Sequence, residues 1–152
     1  MKKYEFTGET KRVELWNRTA TLHRIKATVE FGFVKVGELG GWIEKEENLS
    51  HEGKAWVCGD AKVWGNAKVC GDAEVFLASH VLVMGSVGSR NDFTTFFRDK
   101  DNEITVKCGC FLGKIDKFLE KVTQTHGNNK YALVYRAAVE VAKLQIELTE
   151  RK

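Results

Sequence analysis

Residues 53–76 read GKAWVC GDAKVW GNAKVC GDAEVF, four blocks in a row of the form Gly-x-Ala-x-Val-x. The valine column continues as Val57, Val63, Val69, Val75, Val81 and Val87. Two residues before each stands a small one: Ala55, Ala61, Ala67, Ala73, Ser79 and Gly85. Upstream, Ile43 and Leu49 keep the same spacing, with a two-residue slip before Val57. A period of six fits neither the 3.6 of a helix nor the 2.0 of a strand. A glycine in every sixth position also excludes an α-helix. Plain strand alternation would let the columns drift, whereas here glycine, alanine and valine stay in step over four blocks.

A short strand plus a bend, with one branched aliphatic and one small residue inside, is the hexapeptide pattern of a parallel β-helix. In the left-handed form three hexads make one triangular coil of 18 residues. The valine fills a flat side and the small residue sits near a corner. Gly59, Gly65 and Gly71, each followed by Asp60, Asn66 or Asp72, suit the bends. Six hexads predict two coils, and the stretch from Phe31 to Leu49 adds one more. The neighbours of the valines then point outward. One flank (Trp56, Lys62, Lys68, Glu74, His80, Ser86) is mostly polar. The other (Cys58, Trp64, Cys70, Phe76, Leu82, Gly88) is mostly apolar, so it calls for a cover, either the C-terminal helices of the same chain or sister subunits. A short column also has open ends that need caps.

The flanks complete a fold that is mainly β with α at the C-terminus. Residues 1–36 read as an N-terminal β-hairpin or small meander capping the column, 37–88 as the left-handed β-helix, and 89–152 as a C-terminal β-hairpin plus two helices. Thr94–Arg98 and Ile104–Cys110 are β-rich around a turn at Asp99–Asn102. LGKIDKFLEKVTQTHGNN reads as an amphipathic helix stopped at Gly127, and a second helix runs from about Asn129 to Leu148.

Composition narrows the function. At 152 residues the chain makes one domain, or two small modules sharing a core. A net charge of +3 is too small for bulk nucleic-acid binding. The start is polar, and no apolar run nears the roughly 20 residues of a membrane helix, so a cytoplasmic protein is expected. Cys58, Cys70, Cys108 and Cys110 read as free thiols. Cys108-Gly109-Cys110 has no second pair to complete a zinc site, so no metal and no cofactor are expected. With no proline in the chain, turns fall to Gly, Asn and Asp.

The hexads resemble those of left-handed β-helix proteins, and the resemblance implies a homotrimer packed side by side. The whole chain resembles small proteins of bacteriophage and prophage genomes. The matching stretches are residues 3–10 (KYEFTGET), 22–27 (LHRIKA), 37–50 (GELGGWIEKEENLS), the hexads 53–76, and 88–135 from GSRND to YALVY. That likeness implies the architecture and a viral origin, hence the host cytoplasm. It implies no activity, because the members are mostly of unassigned function.

One cluster reads chemically: Ser89, Arg90 and Asn91 after Gly88, then Thr94 and Thr95, then Lys107 and Cys108. A Gly-Ser-Arg turn offers backbone N–H groups, a hydroxyl and a planar guanidinium, which suit a phosphate. Thr94 and Thr95 alternate across a strand, so one of them faces any adjoining pocket. Phe93, Phe96 and Phe97 stack a base or simply build the core. The plainer reading makes Ser89 and Asn91 turn residues, pairs Arg90 with a carboxylate and leaves the threonines as strand formers. Among the histidines, His80 stands outward on the last coil; hexapeptide acyltransferases use a histidine near a subunit interface as general base, in a longer prism with a protruding loop, but here no loop interrupts the hexads to hold an acyl donor. His126 suits the end of a helix. No phosphate-binding loop, dinucleotide fingerprint or nucleophile triad is present.

Three readings stay open. One is a non-catalytic module that captures a small phosphorylated ligand, such as a nucleotide second messenger of host defence. Another is a structural or protein-interaction β-helix. The third is an acyltransferase working through His80.

Overall fold

The computed structural model describes residues 2–88, 92–146 and 148. Strands β1 (Tyr4–Glu14) and β2 (Thr19–Ala27) form an antiparallel hairpin, and β3 (Leu39–Ile43) lies antiparallel beside β2. The hexads follow. Val57, Val63, Val69 and Val75 are all buried, as are Ala55, Ala61, Ala67 and Ala73, and they share one core with Ile43 and Leu49. The bends turn through Gly59, Gly65 and Gly71 at φ of 61°, 66° and 64°, a conformation that a Cβ disfavours.

The hexads contribute the short strands β4 (Trp56–Val57), β5 (Lys62–Val63) and β6 (Glu74–Val75). β4 pairs with β6 in parallel, Val57 opposite Val75. β5 pairs with β3 in parallel, Ile43 opposite Val63, and Leu49 bridges Val69. The upstream pairs stand 20 residues apart instead of 18, which is the two-residue slip seen in the sequence.

The left-handed parallel β-helix expected for residues 37–88 is nevertheless not the architecture. Each parallel ladder is only two residues long, and the extended ladders are antiparallel. One four-stranded sheet has the order β1-β2-β3-β5 and is mixed. A second has the order β10-β9-β8-β7 and is antiparallel throughout: β7 (Val81–Val87), β8 (Asp92–Arg98), β9 (Ile104–Cys108) and β10 (Phe111–Lys114). The hexad rhythm ends at Phe76 because the glycines that bend the chain end too. The next two places in that column hold Leu77 and Val83. Without a left-handed corner, the run VLVM proceeds straight as β7, antiparallel to β8, with Val81 opposite Phe97 and Met84 opposite Thr94. The apolar flank finds its cover within the chain: Cys58 and Cys70 pack on the hexad core, Trp64 on Ala20, Leu22 and Trp42, and Leu82 on the helical side.

Antiparallel pairing makes the β7–β10 sheet a middle layer. By strand alternation Val81, Val83 and Phe97 face the hexad core, while Leu82, Met84, Phe96, Val106 and Cys108 face α1 (Ile115–His126) and α2 (Lys130–Gln145). The β-rich stretch expected over Ile104–Cys110 breaks at Gly109. Its continuation folds back as β10, so α1 starts at Ile115 rather than near Leu112. Asn129 caps α2, its side-chain oxygen accepting the N–H groups of Tyr131 and Ala132. The β8–β9 turn docks on the hexads through Lys100 N–H to the Asp72 carbonyl and Arg98 to the Glu74 carbonyl. The buried Asp99 carboxylate holds that turn, accepting from Asp101 N–H, Glu103 N–H, the Thr105 hydroxyl and Lys114. Among the described residues no helix is long and apolar enough to cross a membrane.

Candidate functional site

Where the hexads meet the middle sheet, two hollows adjoin. The smaller, of about 100 Å³, is lined by Asn66, Lys68, Asp92, Phe93, Thr95, Lys107 and Gly109. The larger, of about 530 Å³, shares Lys68 and Lys107 and runs past Cys70 and Leu112 to Glu46, Glu47, His51 and Glu52. Two lysines from different layers, Lys68 and Lys107, therefore line both spaces.

Each wall is held in place. On the hexad side, Asn48 Nδ2 donates to the carbonyls of Gly65 (3.1 Å) and Ala67 (2.9 Å), and Gly65 N–H donates to Glu44 Oε1 at 2.9 Å. The corner that carries Asn66 and leads to Lys68 is thus clamped from both sides. On the sheet side, Thr95 stands opposite Lys107, and its Oγ1 accepts the backbone N–H of Lys68 at 3.0 Å, tying the two walls together. Lys107 Nζ donates to the Gly109 carbonyl at 2.7 Å, which uses one of its three N–H groups and leaves two for a ligand.

The site residues read from the sequence separate here. Ser89, Arg90 and Asn91 lie outside the described residues. Thr95 and Lys107 share the smaller hollow. Thr94 faces the other way, its hydroxyl donating to Cys108 Sγ at 3.3 Å. Cys108 lines a third hollow, of about 130 Å³, on the helical side with Cys110, Phe111, Phe118, His126 and Tyr135. Phe93, one of the three rings the sequence offers for stacking a base, lines the smaller hollow as well, whereas Asn66 and Lys68 do not stand out in the sequence as ligand-binding residues. A signal existed, since the corner residues run Asp60, Asn66, Asp72 and only the middle one lacks a negative charge.

The reactive groups of the larger hollow are engaged. Burial pushes the Cys70 thiol up, with Lys107, Lys3 and Lys68 acting in the opposite direction, so at neutral pH it stays protonated and a poor nucleophile. His51 stacks on Tyr4 at 4.0 Å. Its Nδ1 accepts the Lys3 backbone N–H, so Nε2 carries the proton and donates to Glu46 at 2.9 Å. Neither ring nitrogen is left to act as a base. His80, expected outward, is buried, and its Nδ1 accepts from the N–H groups of Phe76 and Leu77. That places it out of a substrate's reach and removes the residue on which acyl transfer rested. Among the described residues no three His, Cys, Asp or Glu side chains gather as metal ligands.

Lys3 is one of the three lysines that act on Cys70. It is 3% exposed, with Nζ donating to the Ala55 carbonyl at 2.6 Å and lying over the Phe31 ring. Burial lowers its pKa from 10.5 to about 8, against the opposing effect of Cys70. Between those values the unfolded chain binds a proton that the folded chain has released, so stability rises with pH across that window. Thermal melts from pH 8 to 10 should show the wild type gaining on the order of 1–2 kcal/mol relative to Lys3→Met. Parallel profiles for the two proteins would refute the assignment.

Scanned against protein-family models, the chain matches none, and no curated protein matches it.

Proposed function

We propose that this protein binds a small phosphorylated molecule, of the nucleotide class, in the groove between hexads and sheet, and holds it without turnover. The observation that carries the reading is the placement of Lys68 and Lys107 on facing walls of two joined hollows, beside Thr95 and Asn66. Two ammonium groups, a hydroxyl and an amide at one narrow point suit the oxygens of a phosphate. Phe93, on the rim, offers a ring for a base to stack on. The larger hollow gives the rest of the ligand room, and its carboxylates at Glu46, Glu47 and Glu52 accept hydrogen bonds from ring or amino N–H groups. The half-buried Cys70 thiol, which burial keeps protonated, and the engaged His51 ring favour binding over catalysis. Together with the resemblance to phage proteins, this extends to a nucleotide second messenger of host defence, sequestered in the host cytoplasm.

Calorimetric titration of the full chain against pyrophosphate, linear nucleotides and cyclic mono- and dinucleotides tests it. At least one is expected to bind, with affinity falling as salt rises. Lys68→Ala and Lys107→Ala should each weaken binding about 10-fold, and the double variant about 100-fold. Lys117→Ala, on the exposed face of α1, should change nothing. Silence across the panel, or a double variant that binds like the wild type, would discard the reading.

A further inference from the structure

The hollow on the helical side is walled by rings from three elements. Phe111 of β10 and Phe118 of α1 pack tilted at 5.5 Å, and Phe118 meets Tyr135 of α2 edge-on at 5.6 Å. His126, at the end of α1, lies nearly parallel to Tyr135 at 5.9 Å. Phe118, Lys121, Val122 and Thr125 follow the i, i+3, i+4, i+7 spacing of one helix face, and all four line the hollow. Its inner wall (Phe111, Phe118 and Val122) offers carbon and no hydrogen bonds, so the part of a ligand that enters is apolar. Its volume of about 130 Å³ is close to the roughly 150 Å³ at which an apolar cavity takes up benzene.

The rim is charged. Phe118, Val122 and Tyr135 are buried, whereas Asp92 and Lys121 are exposed and line the same hollow with opposite charges. One Asp92 oxygen accepts the Phe93 N–H at 2.7 Å, which leaves the other for a ligand. Among the described residues neither Asp92 nor Lys121 stands in an ion pair.

We infer that this hollow binds a free amino acid with a single aromatic ring, phenylalanine being the simplest. The ring enters against Phe118 and Tyr135, the ammonium group meets the Asp92 carboxylate, and the carboxylate meets the Lys121 ammonium. Charge complementarity selects the zwitterion: an aromatic residue inside a protein chain carries neither charge, and an aromatic acid or amine carries only one. The walls select a ring over a branched aliphatic, because edge-on ring pairs and sulfur at a ring edge, here from Cys108, stabilise beyond the area they bury. The hollow and the groove lie on opposite faces of the middle sheet, so this inference stands apart from nucleotide binding.

Amide-resolved NMR of the full chain, titrated with L-phenylalanine to about 10 mM, tests it, since a ligand of this size binds with a Kd of about 1 mM. Saturating shifts are expected at Cys108, Cys110, Val122 and His126. Leucine, phenylalaninamide and phenylpropionate, which lack the ring, the carboxylate and the ammonium in turn, should each bind about 5-fold more weakly. Asp92→Asn keeps the acceptor for Phe93, and Lys121→Gln changes an exposed side chain, so both should melt like the wild type. Each should weaken phenylalanine about 5-fold, and Lys117→Ala should leave it unchanged. No saturating shift at this hollow, leucine binding as tightly as phenylalanine, or two charge variants that bind like the wild type would each overturn the inference. So would equal binding of N-acetylphenylalaninamide, which would make an aromatic residue of a partner protein the occupant.

Discussion

Replacing Trp56 by alanine should lower the free energy of unfolding by about 3–5 kcal/mol. The side chain is fully buried, although its place in the hexad puts it on the mostly polar flank. The N-terminal hairpin and its continuation cover it. The ring of Phe31 meets the indole edge-on at 5.3 Å, and Tyr4 meets it at 6.5 Å. Alanine leaves a cavity walled by the hairpin on one side and the hexads on the other, two surfaces that cannot both close in on it. Trp56→Phe separates volume from polarity. The indole N–H is buried without a hydrogen-bond partner among the described residues, so phenylalanine removes an unmet donor together with some volume. Its expected loss is about 1 kcal/mol. Urea unfolding with an unchanged slope measures both. Equal losses for the two variants would mean that the pocket does not depend on the size of the ring.

Gly41→Ala should be nearly as damaging, at about 3 kcal/mol, for the addition of one methyl group. A Cβ built on Gly41 would stand 2.6 Å from the Ala61 carbonyl oxygen and 2.8 Å from a methyl of Val57. The oxygen has little freedom to retreat, because it accepts the Trp42 N–H at 3.0 Å in the contact that joins β3 to the hexads. Gly65→Ala makes the informative comparison. Nothing lies within 4 Å of a Cβ there, and its backbone φ of +66° alone disfavours a side chain, by about 1 kcal/mol. Chemical denaturation should rank the two in that order. A reversal would mean that the β3–hexad approach is looser than these distances.

The inward valines and alanines were legible in the sequence because a side chain's period and its burial are set by a few neighbouring residues. Where the repeat stops was written there too, in Leu77 and Val83 standing where glycines had been, but a column of valines that continues to Val87 hides it. Whether long ladders run parallel or antiparallel depends on which strands meet, and no single hexad encodes that. The threonine pair shows the same division. Alternation guarantees that Thr94 and Thr95 face opposite ways, yet which one reaches the groove is decided by the pairing of β8 with β7 and β9. Lys68 stayed hidden for a related reason. As one of several lysines on hexad flanks it looks like a solvated charge, and it becomes part of a site only when a distant strand brings Lys107 to face it. The burial of Trp56 and His80 likewise follows from elements far away in the chain.

Amide-resolved NMR of the full chain, titrated with the nucleotide panel, bears most directly on the binding groove. The account predicts that shifts concentrate at Asn66, Lys68, Thr95, Lys107 and Gly109. Shifts confined to the hollow on the helical side, at Cys110, Phe118 and His126, or no shifts with any member of the panel, would contradict it.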